Sequence, residues 1–115
     1  LRVLVVEDEA FLAMDIEELL RQLDCEVVAT ASTVEAALAH VRRGGIDGAI
    51  LDLNLHGASV LPVAEALARE EIPFVLLTGC PRRESDPSPL REARRIGKPF
   101  SVSSLSVALA ETLLR

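Results

Sequence analysis

The chain opens on an apolar, β-branched run, Leu1 to Val6, that stops abruptly at Glu7-Asp8-Glu9. A run of this kind predicts a strand with acids at its carboxyl end. Leu12, Ile16, Leu19, Leu20 and Leu23 then recur at i, i+4, i+7, i+8 and i+11, the spacing of an amphipathic helix with one buried face. Phe11 and Met14 fall outside that stripe and are expected to lie near water. A short strand over Glu26–Ala31 is followed by Ser32-Thr33-Val34-Glu35, a capping-box pattern opening a helix with Val34, Leu38 and Val41 inward. Gly44-Gly45 stops that helix. Gly48 to Leu55 is apolar except at its end and reads as a strand buried on both faces, carrying the carboxylate of Asp52.

Leu55-His56-Gly57-Ala58 reads as a loop, and Ser59 as the cap of a helix that tolerates Pro62 in its first turn and buries Val60, Val63, Ala64 and Leu67. Pro73 to Leu77 is again fully apolar and leads into Thr78-Gly79. From Cys80 to Glu92 the pattern dissolves into polar residues with Pro81, Pro87 and Pro89, so a helix here is short or irregular. Arg94 to Gly97 predicts a weak strand; Lys98-Pro99-Phe100 turns into a last helix capped by Ser103 or Ser104, with Leu105, Ala108, Leu109 and Leu113 inward. Strands alternating with helices predict an α/β fold: a doubly wound, five-stranded parallel sheet with helices on both faces. Residues 1–115 read as one domain, without repeats or linkers.

In such sheets ligands bind beyond the carboxyl ends of the strands, where the winding reverses. Glu7, Asp8, Asp52, Thr78 and Lys98 each follow or end an apolar strand and therefore share one rim. Three acids on one rim repel each other unless a cation joins them, and Mg2+, which prefers oxygen ligands and shares sites with phosphate, suits the set. Lys98 adds a mobile positive charge and Thr78 a hydroxyl donor. Together these groups can bind a phosphoryl group, and with Asp52 as the nucleophile the product is an acyl phosphate.

Composition narrows the alternatives. A net charge of -6 argues against general nucleic-acid binding, and the absence of Trp and Tyr against a stacking platform for bases. Half of the twelve basic residues nonetheless lie between Arg82 and Lys98. Cys25 and Cys80 follow no metal-ligand or disulfide spacing, which suits a reducing cytoplasm. No run is apolar for long enough to cross a bilayer, so no membrane is expected as a partner.

The same residues make the chain resemble the receiver domain of two-component response regulators. The resemblance covers the whole length, from Val5-Val6-Glu7-Asp8-Glu9 through Leu51-Asp52 and Leu77-Thr78 to Lys98-Pro99-Phe100. It implies Asp52 as phosphoacceptor, Glu7 and Asp8 as the acidic pair at Mg2+, the backbone carbonyl of Asn54 as a further metal ligand, Thr78 as switch hydroxyl and Lys98 as phosphate partner. It also implies the flavodoxin-like strand order 2-1-3-4-5 and a phosphohistidine-bearing partner, either a histidine kinase or a histidine phosphotransfer protein. A phosphorylation-dependent protein partner is implied as well. Arg95 stands where many receivers carry a switch aromatic, and Thr78-Gly79 replaces the usual Thr-Ala; both look like the subgroup nicknamed for its Phe-Ala-Thr-Gly-Tyr motif. With no aromatic at position 95, the segment from Cys80 to Glu92 is expected to be the element that responds, mobile at rest and ordered by phosphorylation.

Each residue taken singly has a plainer reading. Asp8 could cap the first helix, Asp52 and Asn54 could be turn residues, and Thr78 and Lys98 could be an ordinary strand-end hydroxyl and a solvated cation. His40 and His56 read as solvent-exposed and Cys25 as a packing residue. The joint order and strand-end placement of Asp8, Asp52, Asn54, Thr78 and Lys98 favour the phosphoacceptor over a pseudo-receiver that binds protein without phosphorylation. A metal-dependent phosphatase of the aspartyl-phosphate type needs an acid two residues after its nucleophile, where this chain has Asn54.

Overall fold

The computed structural model describes residues 1–79, 86–98 and 100–113. Its strands and helices follow in the order β1 (Arg2–Val6), α1 (Ala10–Gln22), β2 (Glu26–Ala31), α2 (Val34–Arg43), β3 (Gly48–Asp52), β4 (Asn54–Leu55), β5 (Ala58–Ser59), α3 (Leu61–Arg69), β6 (Phe74–Thr78), β7 (Arg94–Gly97) and α4 (Val102–Thr112). β2, β1, β3, β6 and β7 form one parallel sheet in that spatial order. Numbered within the sheet alone this is 2-1-3-4-5, the flavodoxin-like order that the resemblance implied.

Side chains alternate across the sheet and divide the core in two. Leu4, Val6, Ala49, Leu51 and Leu76 face α2 and α3, meeting Ala37, Val41, Val63 and Leu67. Val3, Val5, Ile50, Val75, Leu77 and Ile96 face α1 and α4, meeting Ile16, Leu20, Leu105 and Leu109. β3 and β6 are buried along their whole length, as central parallel strands must be when helices cover both faces. Each fully buried Leu or Ile contributes about 1.5–3 kcal/mol, so this double core dominates the stability of the sheet.

Local chemistry places some element ends differently from the sequence pattern. α2 is capped by Thr33, whose hydroxyl accepts from the Ala36 amide at 3.1 Å, one residue later than a Ser32–Glu35 box would have it. α4 is capped by Ser101, not Ser103 or Ser104; the Ser104 side chain completes a reciprocal capping box with Ser101. α3 follows Val60, which has no side-chain cap, while the Ser59 hydroxyl accepts from the Leu61 amide at 3.1 Å. Residues 55–58 are no open loop: Asn54 pairs with Ser59 and Leu55 with Ala58 in a two-residue hairpin, turning at His56 and Gly57 with φ of 48° and 82°. Left-handed residues at both turn positions match the twist of the flanking strands.

Between β6 and β7, residues 86–93 form turns rather than a helix, in line with the expected irregular fourth helix. Cys80, Pro81, Arg82, Arg83 and the remaining residues up to 85 lie outside the described residues, so the expected mobility of 80–92 falls partly there. The described half is tethered. Leu90 is buried against the α2–α3 side of the core, and the Arg95 guanidinium meets Asp86 at 2.8 Å and the Leu90 carbonyl at 3.3 Å. Arg95 thus occupies a largely buried position, its side chain 9% exposed, by carrying its counter-ion with it. Among the described residues no helix is long and apolar enough to cross a membrane.

Candidate functional site

The sheet delivers its polar residues to one edge. β1 sits between β2 and β3, and the winding reverses across it, which opens a crevice at the carboxyl ends of β1 and β3. Glu7 continues β1 by one residue, its amide donating to the Ala31 carbonyl at 3.0 Å. Val6 is paired with Leu51 and Asp52 with Leu77, so Glu7, Asp52 and Thr78 stand at neighbouring levels of three adjacent strands. The Lys98 amide donates to the Thr78 carbonyl at 3.0 Å and fixes where the lysine leaves β7.

Carboxylate oxygens of Glu7, Asp8 and Asp52 lie within 4.8 Å of one another. Lys98 Nζ bridges the two most buried of them, 3.2 Å from Asp52 Oδ2 and 3.4 Å from Glu7 Oε1. Asp52 and Thr78 are buried, and Glu7 is 2% exposed. Glu7 Oε2 accepts the amides of Asp8 at 3.0 Å and Glu9 at 3.1 Å, whereas buried Oε1 has no hydrogen bond. Asp8 does not cap α1: Glu9 occupies the cap position without a side-chain bond, and Asp8 Oδ2 accepts the His56 amide at 2.9 Å.

Electrostatics follow this geometry. Burial pushes the Glu7 carboxyl up to about 7, reinforced by the neighbouring Asp52 and opposed by the Glu9 amide. The His56 amide holds the Asp8 carboxyl below its ordinary range. For Lys98, burial disfavours the ammonium, but attraction to Asp52 and then Glu7 outweighs it and the pKa is raised. Two of the three clustered acids share the lysine, the third has no contact with it, and one buried carboxylate oxygen lacks a hydrogen bond. A hard divalent cation with oxygen preference fits both features.

Of the residues singled out in the sequence, Glu7, Asp8, Asp52 and Lys98 come together directly. Thr78 closes β6 beside them, and Asn54 lies two residues beyond Asp52 in β4. Two contacts were not anticipated, the first at the site and the second away from it. The imidazole of His56 is exposed as expected, but its backbone amide reaches Asp8, a contact invisible in side-chain chemistry; the His-Gly pair was the available signal for a tight turn. The second is Asp86, the partner of Arg95.

Residues 3–109 match the response regulator receiver domain family, and the chain belongs to that family. It is 32% identical over 115 residues to the transcriptional regulatory protein PdtaR of Mycobacterium tuberculosis, covering 94% of this chain and 54% of that protein. The chain spans about half the length of the curated relatives it matches. Among solved structures, SdrG from Sphingomonas melonis Fr1 is similar with a TM-score of 0.82 and 47% identity, covering 99% of this chain and 96% of that one. The BeF3-activated conformation of SdrG, from Pseudomonas melonis Fr1, is similar with a TM-score of 0.78 and 47% identity, covering 95% and 92%.

Proposed function

We propose that this receiver accepts a phosphoryl group on Asp52 from a partner's phosphohistidine, in a Mg2+-dependent reaction, and acts as a phosphorylation-controlled switch or relay in the cytoplasm. The observation that carries the reading is the ammonium of Lys98 bridging Asp52 and Glu7 at the mouth of a buried acidic crevice. Glu7, Asp8, Asp52 and the backbone carbonyl of Asn54 would hold the cation, which when bound supplies positive charge for the phosphoryl oxygens. An Asp52 carboxylate oxygen forms the new bond to phosphorus as the phosphorus–nitrogen bond to the histidine breaks, leaving an acyl phosphate. Lys98 then exchanges its contact with Asp52 for one with a phosphoryl oxygen, and the Thr78 hydroxyl donates to another. The similarity to a BeF3-activated conformation of SdrG supports a phosphoryl-responsive site.

Residues 1–115 would act as one domain, and docking would use the rim beside the acids. Phe11 and Met14 are 84% and 60% exposed on α1. Phe11 also lines a groove along α1 with Leu12, Asp15, Phe100, Val102 and Lys98, the last of which also reaches the acidic crevice. Exposed apolar groups beside a reactive centre mark an interaction surface, here for the helices that carry the phosphohistidine.

Incubation with acetyl phosphate and Mg2+ should add one phosphoryl mass, located on Asp52, and Asp52→Asn should abolish it. Labelling of Asp52→Asn at the wild-type yield would place the acceptor elsewhere. A wild type that takes no label would instead leave the pseudo-receiver reading.

A further inference from the structure

Asp8 is held by a residue far along the chain. The hairpin β4–β5 turns at His56 and Gly57, both left-handed, and presents the His56 N–H to Asp8 Oδ2 at 2.9 Å. That hairpin is anchored. Leu55 is buried in the core, the Val60 amide donates to the Leu53 carbonyl at 3.2 Å, and the Leu53 amide donates to Leu77 of β6 at 3.0 Å. The donor therefore sits on a fixed element directly downstream of Asp52. The imidazole contributes less: Nδ1 lies 3.5 Å from the same oxygen, and the side chain is mostly exposed.

Asp8 is the least buried of the three acids, and a carboxylate at the rim would otherwise sample several rotamers. A charge-assisted bond from a rigid backbone amide removes that freedom before any cation arrives. We propose that the backbone amide of His56 is the positioning group for Asp8, fixing its carboxylate for divalent-cation binding. This rests on the phosphoacceptor reading above. The hairpin then serves the site twice, through the carbonyl of Asn54 and the amide of His56. The requirement at position 56 is for backbone properties: an N–H, which excludes proline, and tolerance of a left-handed φ.

The test replaces the Leu55–His56 amide of the full chain with an ester and measures the Mg2+ dissociation constant by amide NMR titration. Loss of an orienting partner typically weakens metal affinity about ten- to a hundredfold, and the ester is expected to fall in that range. His56→Pro should weaken binding as well, while His56→Asn, which keeps the amide and accepts the turn, should restore most of the affinity. In an Asp8→Asn background the ester should add nothing; a merely loosened hairpin would weaken binding further there. An ester variant with wild-type affinity overturns the proposal, as does a His56→Asn loss as large as the ester's, which would transfer the role to the imidazole. A wild type that binds no Mg2+ overturns the cation reading of the site itself.

Discussion

Among the described residues, Glu7 is the side chain under most electrostatic tension. Its carboxyl titrates ordinarily near 4.5 and in the fold is pushed up to about 7, first by burial and then by Asp52. Between those values the folded state binds the proton that the unfolded state has released, so stability falls as pH rises from about 4.5 to about 7 and the penalty is constant above. At 1.36 kcal/mol per pKa unit the penalty is about 3 kcal/mol in chelator. Glu7→Gln in EDTA should therefore melt several degrees above wild type at pH 8 and together with it at pH 5. Equal melting differences at the two pH values would refute this account, and Mg2+ should narrow the gap at pH 8. These acids were legible in the sequence because each interrupts or follows an apolar run. The His56 contact was not, since the group that matters is a backbone N–H and its partner lies far off along the chain.

The strand β7 and the turns before it show where hydrophobic periodicity stops informing. Arg94–Gly97 is weak as a strand by composition, yet it forms the sheet edge, because backbone pairing with β6 and burial of Ile96 outweigh its charges. Arg94 pairs with Glu111 of α4 on one face, while Arg95 pairs with Asp86 on the other. A reading that treats arginine as a solvated cation cannot foresee the second pair, which depends on where residues 86–93 fold back. Arg95→Met should leave Asp86 without this partner and loosen the turns. Faster hydrogen exchange across residues 86–93, with β1 and β3 unchanged, would report it, at a cost of about 1–3 kcal/mol in global stability. If exchange in residues 86–93 stays at the wild-type rate, the Arg95–Asp86 pair does not hold the segment in place. The capping differences have a similar origin: Ser101, Ser103 and Ser104 are chemically equal candidates, and the fold uses Ser101 as cap with Ser104 returning the bond.

The molecule separates what holds it together from what it shows to others. Most of both core layers comes from residues that the sequence pattern already marks, Leu90 being an exception, with α1 contributing Ile16, Leu19 and Leu20 while Phe11 and Met14 stay outside. Phe11→Ala and Met14→Ala should consequently leave acetyl phosphate labelling and melting temperature near wild type but slow transfer from a phosphohistidine partner at least tenfold. Parallel loss of both reactions would show that these residues support the site rather than the encounter.

The convergence of Glu7, Asp52, Thr78 and Lys98 also has a temporal consequence, since these residues stand on strands that are synthesised far apart. Asp52 leaves the ribosome well before Lys98, and β7 must dock on β6 before the lysine can reach it. A nascent or nicked chain lacking that last pairing leaves Asp52 without its Lys98 contact. On the proposed reading, competence to accept a phosphoryl group therefore arrives only once β7 has paired with β6.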